Sequence, residues 1–397
     1  MRGPWRAAMG SVRPALNEVP MACQLTMSAM APEPSAKPMK RALVVLCTLY
    51  ASTLVALHSV GIQPAVPWSL LPLLALVVIP FALGATGAVA LVAGHARPEL
   101  AMTRGPCILL GAMFLLAYRL DSTLFLLGHV VLLPIVFRSV WRSGMVRPLS
   151  VVTGTLALGY ASIWNLNYLA ALLSRGRVAD PVVKRLDVAL YQLIMPVPID
   201  YVGFFPVVRS ELFFHVFENA YLMLLPEIFV VAWLWVMAKR NLIVFFRTFF
   251  TCYLIALVVF AIYPVVGPCI YFPESFHPDF RGTLTFRLMD GMAAEYTASL
   301  QRTSVNGFGY FVAIPSLHVA MAVVLQAMLR FSPGHFWAFL PVNVALALST
   351  VFLGYHYVID AVAGVALGTF VTIPEWRRKH DRQLQDDACL AVAGHDR

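Results

Sequence analysis

Charge is what this 397-residue chain has least of: Asp, Glu, Lys and Arg together make up 12% of it. Soluble domains carry about twice that share. Hydrophobic residues reach 60%, which leaves too little polar surface to coat a water-soluble globule. That balance excludes a disordered chain and a soluble nucleic-acid-binding domain. Cysteine is sparse as well. The six present are scattered with no CxxC pair, so neither a disulfide framework nor a metal site is legible. Cys47, Cys107 and Cys252 lie in apolar runs, where a thiol behaves as a small hydrophobe.

What the chain does have is long uncharged runs. Residues 42–96, 248–273 and 303–329 carry no formal charge, and a bilayer-spanning helix needs about 20 such residues. The expected fold is therefore all-α, a polytopic membrane helix bundle. Spans are expected at 42–60, 68–94, 106–140, 149–173, 211–238, 244–264, 315–330, 336–355 and 357–374. The segment 106–140 is long enough for two short helices turning at Arg119 and Asp121, so the total is nine or ten. The net charge of +9 sits beside these runs, at Lys40–Arg41, Arg138–Arg147, Lys239–Arg247 and Arg377–Lys379. That is the positive-inside pattern of cytoplasmic loops, and it calls for no nucleic-acid partner. Counting back from an inside C-terminus, ten spans also keep Lys40 and Arg41 inside.

Along the chain, residues 1–40 read as a disordered basic tail and 41–148 as accessory transmembrane helices. Residues 149–375 read as the catalytic membrane domain and 376–397 as a cytoplasmic tail. Two long loops face outward. In the first, 174–210, Asp180–Pro196 is expected to form an amphipathic interfacial helix with Val182, Val183, Leu186, Ala189, Leu190 and Leu193 on its apolar face. The second, 265–314, has a length that is more often functional than not.

Between Arg330 and Glu375 the one formally charged residue is Asp360. An ionisable group at membrane depth is a functional hypothesis by default. His356 precedes it by four residues, so the two side chains can meet and the carboxylate can orient the imidazole. Gly364 and Gly368 continue that stripe and admit a second helix closely. A second histidine, His318, follows Pro315 and Ser316 at the start of another helix, whose free amides and serine hydroxyl suit an anion. Two histidines, one carboxylate and a helix N-terminus at a common depth suit phosphoryl transfer. The alternative is a His–Asp pair that only pins helix packing.

Pro315-Ser316-Leu317-His318 resembles the PSxH motif of the type 2 phosphatidic acid phosphatase superfamily, and Ser349–Asp360 resembles its SRxxLGxHxxxD motif. The resemblance covers residues 149–375 and implies a six-helix core with metal-independent activity. It also implies roles: His356 as nucleophile, Asp360 as its orienter, His318 as general acid and Ser316 as a phosphate ligand. Two features depart from the phosphatases. Thr350 stands where the family has arginine, and no KxxxxxxRP motif precedes Pro315. Both losses resemble the inositol phosphorylceramide synthase and sphingomyelin synthase branch, whose phosphodiester substrate carries one negative charge. Tyr263–Pro268 also resembles the FPxxPP stretch of those synthases.

The expected function is thus transfer of a phospho-headgroup, phosphoinositol-like, from a phospholipid to a lipid hydroxyl such as ceramide or diacylglycerol, with no cofactor. A lipid-phosphate or isoprenoid-diphosphate phosphatase using the same residues is the alternative. A non-catalytic membrane scaffold or transporter is the reading from another class. Asn219 and Tyr221, beside Glu211, His215 and Glu218, are candidates to bind the headgroup or acceptor, or else mark a solvated helix end. Arg281, Arg287 and Arg302 are candidates to replace the missing phosphate grip. Glu227 is expected to be buried and partnered. Membrane lipids are the expected partners, with the site at the extracytoplasmic face of a bacterial inner membrane.

Overall fold

A computed structural model describes residues 36–60, 146–194, 211–238, 240–273, 283–303 and 310–374. The expected spans at 68–94 and 106–140, residues 1–35 of the N-terminal tail, the C-terminal tail and Arg281 lie outside the described residues, while residues 36–40 of the expected tail belong to a helix. The chain divides into Met1–Arg41 and Ala42–Arg397, and the second unit holds the helix bundle and the candidate site.

The described residues form helices and connecting turns, with no strand among them. In chain order these are α1 (Ala36–Ser59), α2 (Val146–Ser174), α3 (Asp180–Ile194), α4 (Glu211–Leu222), α5 (Leu224–Met237) and α6 (Leu242–Ile262). They continue with the short α7 (Pro268–Tyr271), then α8 (Leu284–Gln301), α9 (Leu317–Met328), α10 (Pro333–Phe352) and α11 (Val358–Pro374). Within α2, α6 and α10 lie the three helices long and apolar enough to cross a bilayer, and α4 with α5 adds a fourth if that bent pair is one span. The helix of α9 and its 3-10 extension, and α11, are apolar but shorter.

The run 211–238 is not one straight helix. It bends by 43° between α4 and α5. Pro226 explains the break, because its ring cannot donate to the carbonyl of Leu222 and clashes with it. Elsewhere the starts are set by short polar side chains. Asn241 accepts from Ile243 N–H at 3.0 Å and Thr283 from Phe286 N–H at 3.3 Å, capping α6 and α8.

Helix α9 sits at the centre, packed by α5, α6 and α10. Its Leu317, Val319–Ala322, Val324, Leu325 and Met328 are all buried, so it is apolar around most of its circumference. On the outer helices the pattern is two-sided. Phe245, Phe249, Cys252, Ala256 and Phe260 of α6 are buried, while Leu254, Val258 and Ile262 are exposed. Exposed Val344 and Leu348 on α10, and Val362, Val365 and Phe370 on α11, extend that apolar outer surface. Apolar surface of this extent needs a partner other than water, and the helices fit an integral membrane protein.

Helix α11 approaches α9 through its glycines. A Cβ on Gly364 would stand 2.5 Å from the Ser316 carbonyl, and one on Gly368 would stand 2.6 Å from that of Ala320. Small residues at this spacing allow the backbones to touch, and the contact brings the N-terminal ends of the two helices together.

Candidate active site

The turn Leu353–Tyr357 joins α10 to α11 and carries His356. Its backbone N–H donates to the Thr350 carbonyl at 3.0 Å, which ties the histidine to the last turn of α10. Asp360, three residues after Tyr357, accepts from the Tyr357 N–H at 3.0 Å. That is one half of a capping box, in which an acid in the first turn reaches back to the residue before the helix. His356 therefore precedes α11 instead of sharing its helical face with Asp360.

The His356 ring is fixed by a group no motif names. Nδ1 lies 3.0 Å from the Ala313 carbonyl and 3.7 Å from Asp360 Oδ2. A carbonyl can only accept, so Nδ1 carries the proton and Nε2 keeps its lone pair. The Asp360 carboxylate stands behind the ring. Its Oδ1 is buried with no hydrogen-bond partner among the described residues.

His318, the second residue of α9, places its ring centroid 6.0 Å from that of His356. It is held by stacking: Tyr221 lies 4.2 Å from His318, and Tyr355 lies 4.1 Å from Tyr221 on an almost parallel plane. The Tyr355 hydroxyl donates to the Thr285 carbonyl at 3.2 Å. Ser316 is fully buried and is the N-cap of α9, accepting from Val319 N–H at 3.5 Å. Its own N–H donates to the Asp360 carbonyl at 2.9 Å. Pro315 thus sits before the cap instead of in the first turn, and Ser316 links the two helix starts.

Both histidines line a small, partly open cavity, whose roughly 320 Å³ of non-atom space includes open solvent. Its walls are otherwise aromatic and apolar: Tyr221, Tyr310 and Tyr355, with Phe311, Met292 and Cys269 among the rest. No arginine or lysine lines it among the described residues. Arg287 and Arg302 are exposed on α8 and at its C-terminal end and do not reach the cavity. Thr350, at the position of the family arginine, is buried and donates to the Ala347 carbonyl at 2.8 Å. Asn219 donates to the His215 carbonyl at 2.8 Å and does not line the cavity, whereas Tyr221 does. Burial pushes the Cys269 thiol up to about 12, so it remains protonated and is no competing nucleophile.

Three carboxylates that hold the site together do not touch the cavity. Glu218 of α4 accepts from the N–H and the hydroxyl of Thr285, both at 2.8 Å, at the start of α8. Asp180 of α3 accepts from Val266 N–H at 3.0 Å, Gly267 N–H at 2.9 Å and the Tyr357 hydroxyl at 3.1 Å. Asp187 accepts from Ile359 N–H at 2.9 Å, in the first turn of α11. Gly267 has φ of 90°, and a Cβ there would stand 2.5 Å from the Tyr355 carbonyl, so the Asp180-bound turn passes directly behind the His356 segment. Burial pushes the Asp180 carboxyl up to about 6, against the lowering effect of those three donors.

Helix α3 is amphipathic as expected, and its apolar face is largely exposed, Val183 excepted. Asp180, Val183 and Asp187 point inward, while Val182, Leu186 and Leu193 are exposed. The spacing i, i+3, i+7 is a helical stripe, and it carries the two acids toward backbone amides that need acceptors. The apolar stripe is left to face the bilayer.

Residues 205–373 match the PAP2 superfamily. The PAP2 match supports that superfamily for the stretch holding His318, His356 and Asp360, and with the apolar helices it fits a membrane enzyme of phosphatase-like type acting on lipid. Asp180 and Asp187 precede the matched stretch. No curated protein and no solved structure matches the chain. Sequence reasoning missed both aspartates as site supports, although Asp180 and Asp187 share one stripe of an amphipathic helix.

Proposed function

We propose that this protein is an integral membrane lipid phosphotransferase of the PAP2 type with a six-helix core. It moves a phospho-headgroup, phosphoinositol-like, from a phospholipid to a lipid hydroxyl such as ceramide or diacylglycerol. The observation that carries the reading is a cavity lined by two histidines and, among the described residues, by no cation. A phosphomonoester dianion needs positive charge to be held in so apolar a site, whereas a phosphodiester carries a single negative charge.

In this reading His356 Nε2 attacks phosphorus, the P–O bond to the glyceride breaks with its electron pair, and the proton on His318 passes to the leaving oxygen. The acceptor hydroxyl then attacks the phosphohistidine, its proton returns to His318, and the P–N electrons return to Nε2. The Ala313 carbonyl keeps the attacking nitrogen unprotonated, and Asp360 stabilises the positive ring that forms. The site opens at the extracytoplasmic face of a bacterial inner membrane, where α3 lies in the interface.

The test is protein reconstituted in mixed lipid with fluorescent ceramide or diacylglycerol, offered phospholipid donors or phosphatidic acid in parallel. Label moving to a more polar lipid only with a phosphodiester donor is the expected result. Free phosphate released from phosphatidic acid, with no labelled product, would instead make the protein a phosphatase.

A further inference from the structure

The cavity lacks a cation, yet a phosphoryl group that gains charge in a transition state needs donors aimed at its oxygens. Tyr310 is the described residue whose chemistry meets that need. It lines the same cavity as His318 and His356. Its hydroxyl oxygen is buried and has no hydrogen-bond partner among the described residues. A buried hydroxyl left without a partner is destabilising, so its retention points to a partner that arrives with the ligand.

The ring is held in place independently of that hydroxyl. It packs edge-on against Tyr253 at 5.9 Å, and the Tyr253 hydroxyl donates to that of Tyr160 at 3.3 Å. Tyr310 also lies three residues before Ala313 on the segment that leads into α9. There the Ala313 N–H donates to Val265 at 2.8 Å and the Ala313 carbonyl holds His356 Nδ1. One short segment thus orients the proposed nucleophile through Ala313 and carries, at Tyr310, a phenol with no hydrogen-bond partner among the described residues. Burial pushes the phenol well above its ordinary 10, so it is a permanent, uncharged donor.

We propose that the Tyr310 hydroxyl is a substrate-binding donor to a phosphoryl oxygen held between His318 and His356, taking the place of a cation. This rests on the phosphotransfer reading and deepens it. A neutral donor serves a phosphodiester monoanion and gives a phosphomonoester dianion no compensating charge, so Tyr310 contributes to donor choice.

Tyr310→Phe removes the oxygen and nothing else. Because that oxygen has no partner to lose, the variant is expected to melt at or above the wild-type Tm. Its kcat is expected to fall by about 10²–10³-fold, the usual effect of deleting one transition-state donor, with KM changed less than about threefold. A kcat within threefold of wild type overturns the proposal, and so does a lowered Tm, which would show that the hydroxyl serves the fold. Orthovanadate, a mimic of the phosphoryl transition state, supplies a readout that needs no substrate. It should raise the Tm of wild type and not that of Tyr310→Phe. If wild type transfers no lipid but vanadate still separates the two proteins, the donor role stands and the transferase reading falls. Equal stabilisation of both overturns Tyr310, and an inactive wild type untouched by vanadate overturns both.

Discussion

Buried carboxylates occur in two parts of this molecule and are satisfied in different ways. At the site end, Asp180, Asp187 and Asp360 are fully buried and accept from backbone N–H groups of turns and helix starts. In the bundle interior, Glu227 of α5 is equally buried but accepts at 2.7 Å from the side-chain amide of Asn343 on α10. Asn343 also donates to Gln326 of α9 at 2.9 Å, and Gln326 donates to the Phe336 carbonyl at 2.8 Å. Glu227 Oε2 and Asn343 Oδ1 have no partner among the described residues. The difference follows from backbone arithmetic. An acid packed against the middle of other helices meets N–H groups already in use and can be met only by side chains, whereas a helix start leaves its first amides free. Acids at the site end therefore lock loops together, and the acid in the interior only joins helices.

The largest expected effect separates chemistry from support. His356→Ala should lower turnover by at least about 10³-fold while leaving the yield of folded protein unchanged, because the ring holds only one carbonyl. Normal turnover in that variant, measured with the fluorescent acceptor, would end the proposed mechanism.

Next comes the acid that ties α3 to the site. Asp180→Asn turns a donor toward Val266 or Gly267 N–H and is expected to cost about 1–3 kcal/mol. Its effect should depend on pH with a definite sign. The folded carboxyl sits at about 6 against an ordinary 3.8, so between these values the folded chain holds a proton that the unfolded chain has released. Stability from this group is complete below pH 3.8 and declines as pH rises to about 6, by about 3 kcal/mol in all. Melting curves of wild type and Asp180→Asn should therefore differ most near pH 4 and converge toward a constant difference above pH 6. A difference that grows with pH over that interval would contradict this assignment.

Gly364→Ala tests the contact that joins the two helix starts. The added Cβ meets the Ser316 backbone, which cannot swing aside as a side chain can, and the expected loss is about 1–3 kcal/mol. Thermal melting gives the loss, and activity should fall with it, since Ser316 and Asp360 share a hydrogen bond.

The smallest effect is the sharpest comparison. Glu227→Gln is the same acid-to-amide exchange as Asp180→Asn, made in the interior. The new amide can accept from Asn343 Nδ2 and donate to the unpartnered Asn343 Oδ1, so the Tm should hold or rise and any loss should stay within about 0.5 kcal/mol. A loss as large as that of Asp180→Asn would erase the distinction between the two regions.

Much of this arrangement is legible in the sequence. Uncharged runs locate helices at 149–173, 244–264, 315–330, 336–355 and 357–374 to within a few residues, since apolarity over a span is a local property. The spacing of His356, Asp360, Gly364 and Gly368 likewise predicts a close helix contact beside the histidines. Other features escape for identifiable reasons. Pro226 marks the bend, yet hydropathy runs unbroken through it and reads 211–238 as a single span. Hydrophobicity marks the apolar face of α3 but not that Asp180 and Asp187 on its other side turn inward, because their partners are backbone amides of distant turns.

Composition by itself determined that the chain is a membrane helix bundle, and motif spacing determined which histidines and which aspartate to bring together. Only the tertiary structure decided that the Ala313 carbonyl and not Asp360 accepts from Nδ1, that Asp180 reaches Tyr357 across 177 positions, and that the buried Tyr310 hydroxyl finds no partner among the described residues. Helix formation and burial are governed by residues a few positions apart. Which carbonyl or amide meets a given side chain depends on how distant loops pack, and no local pattern encodes that.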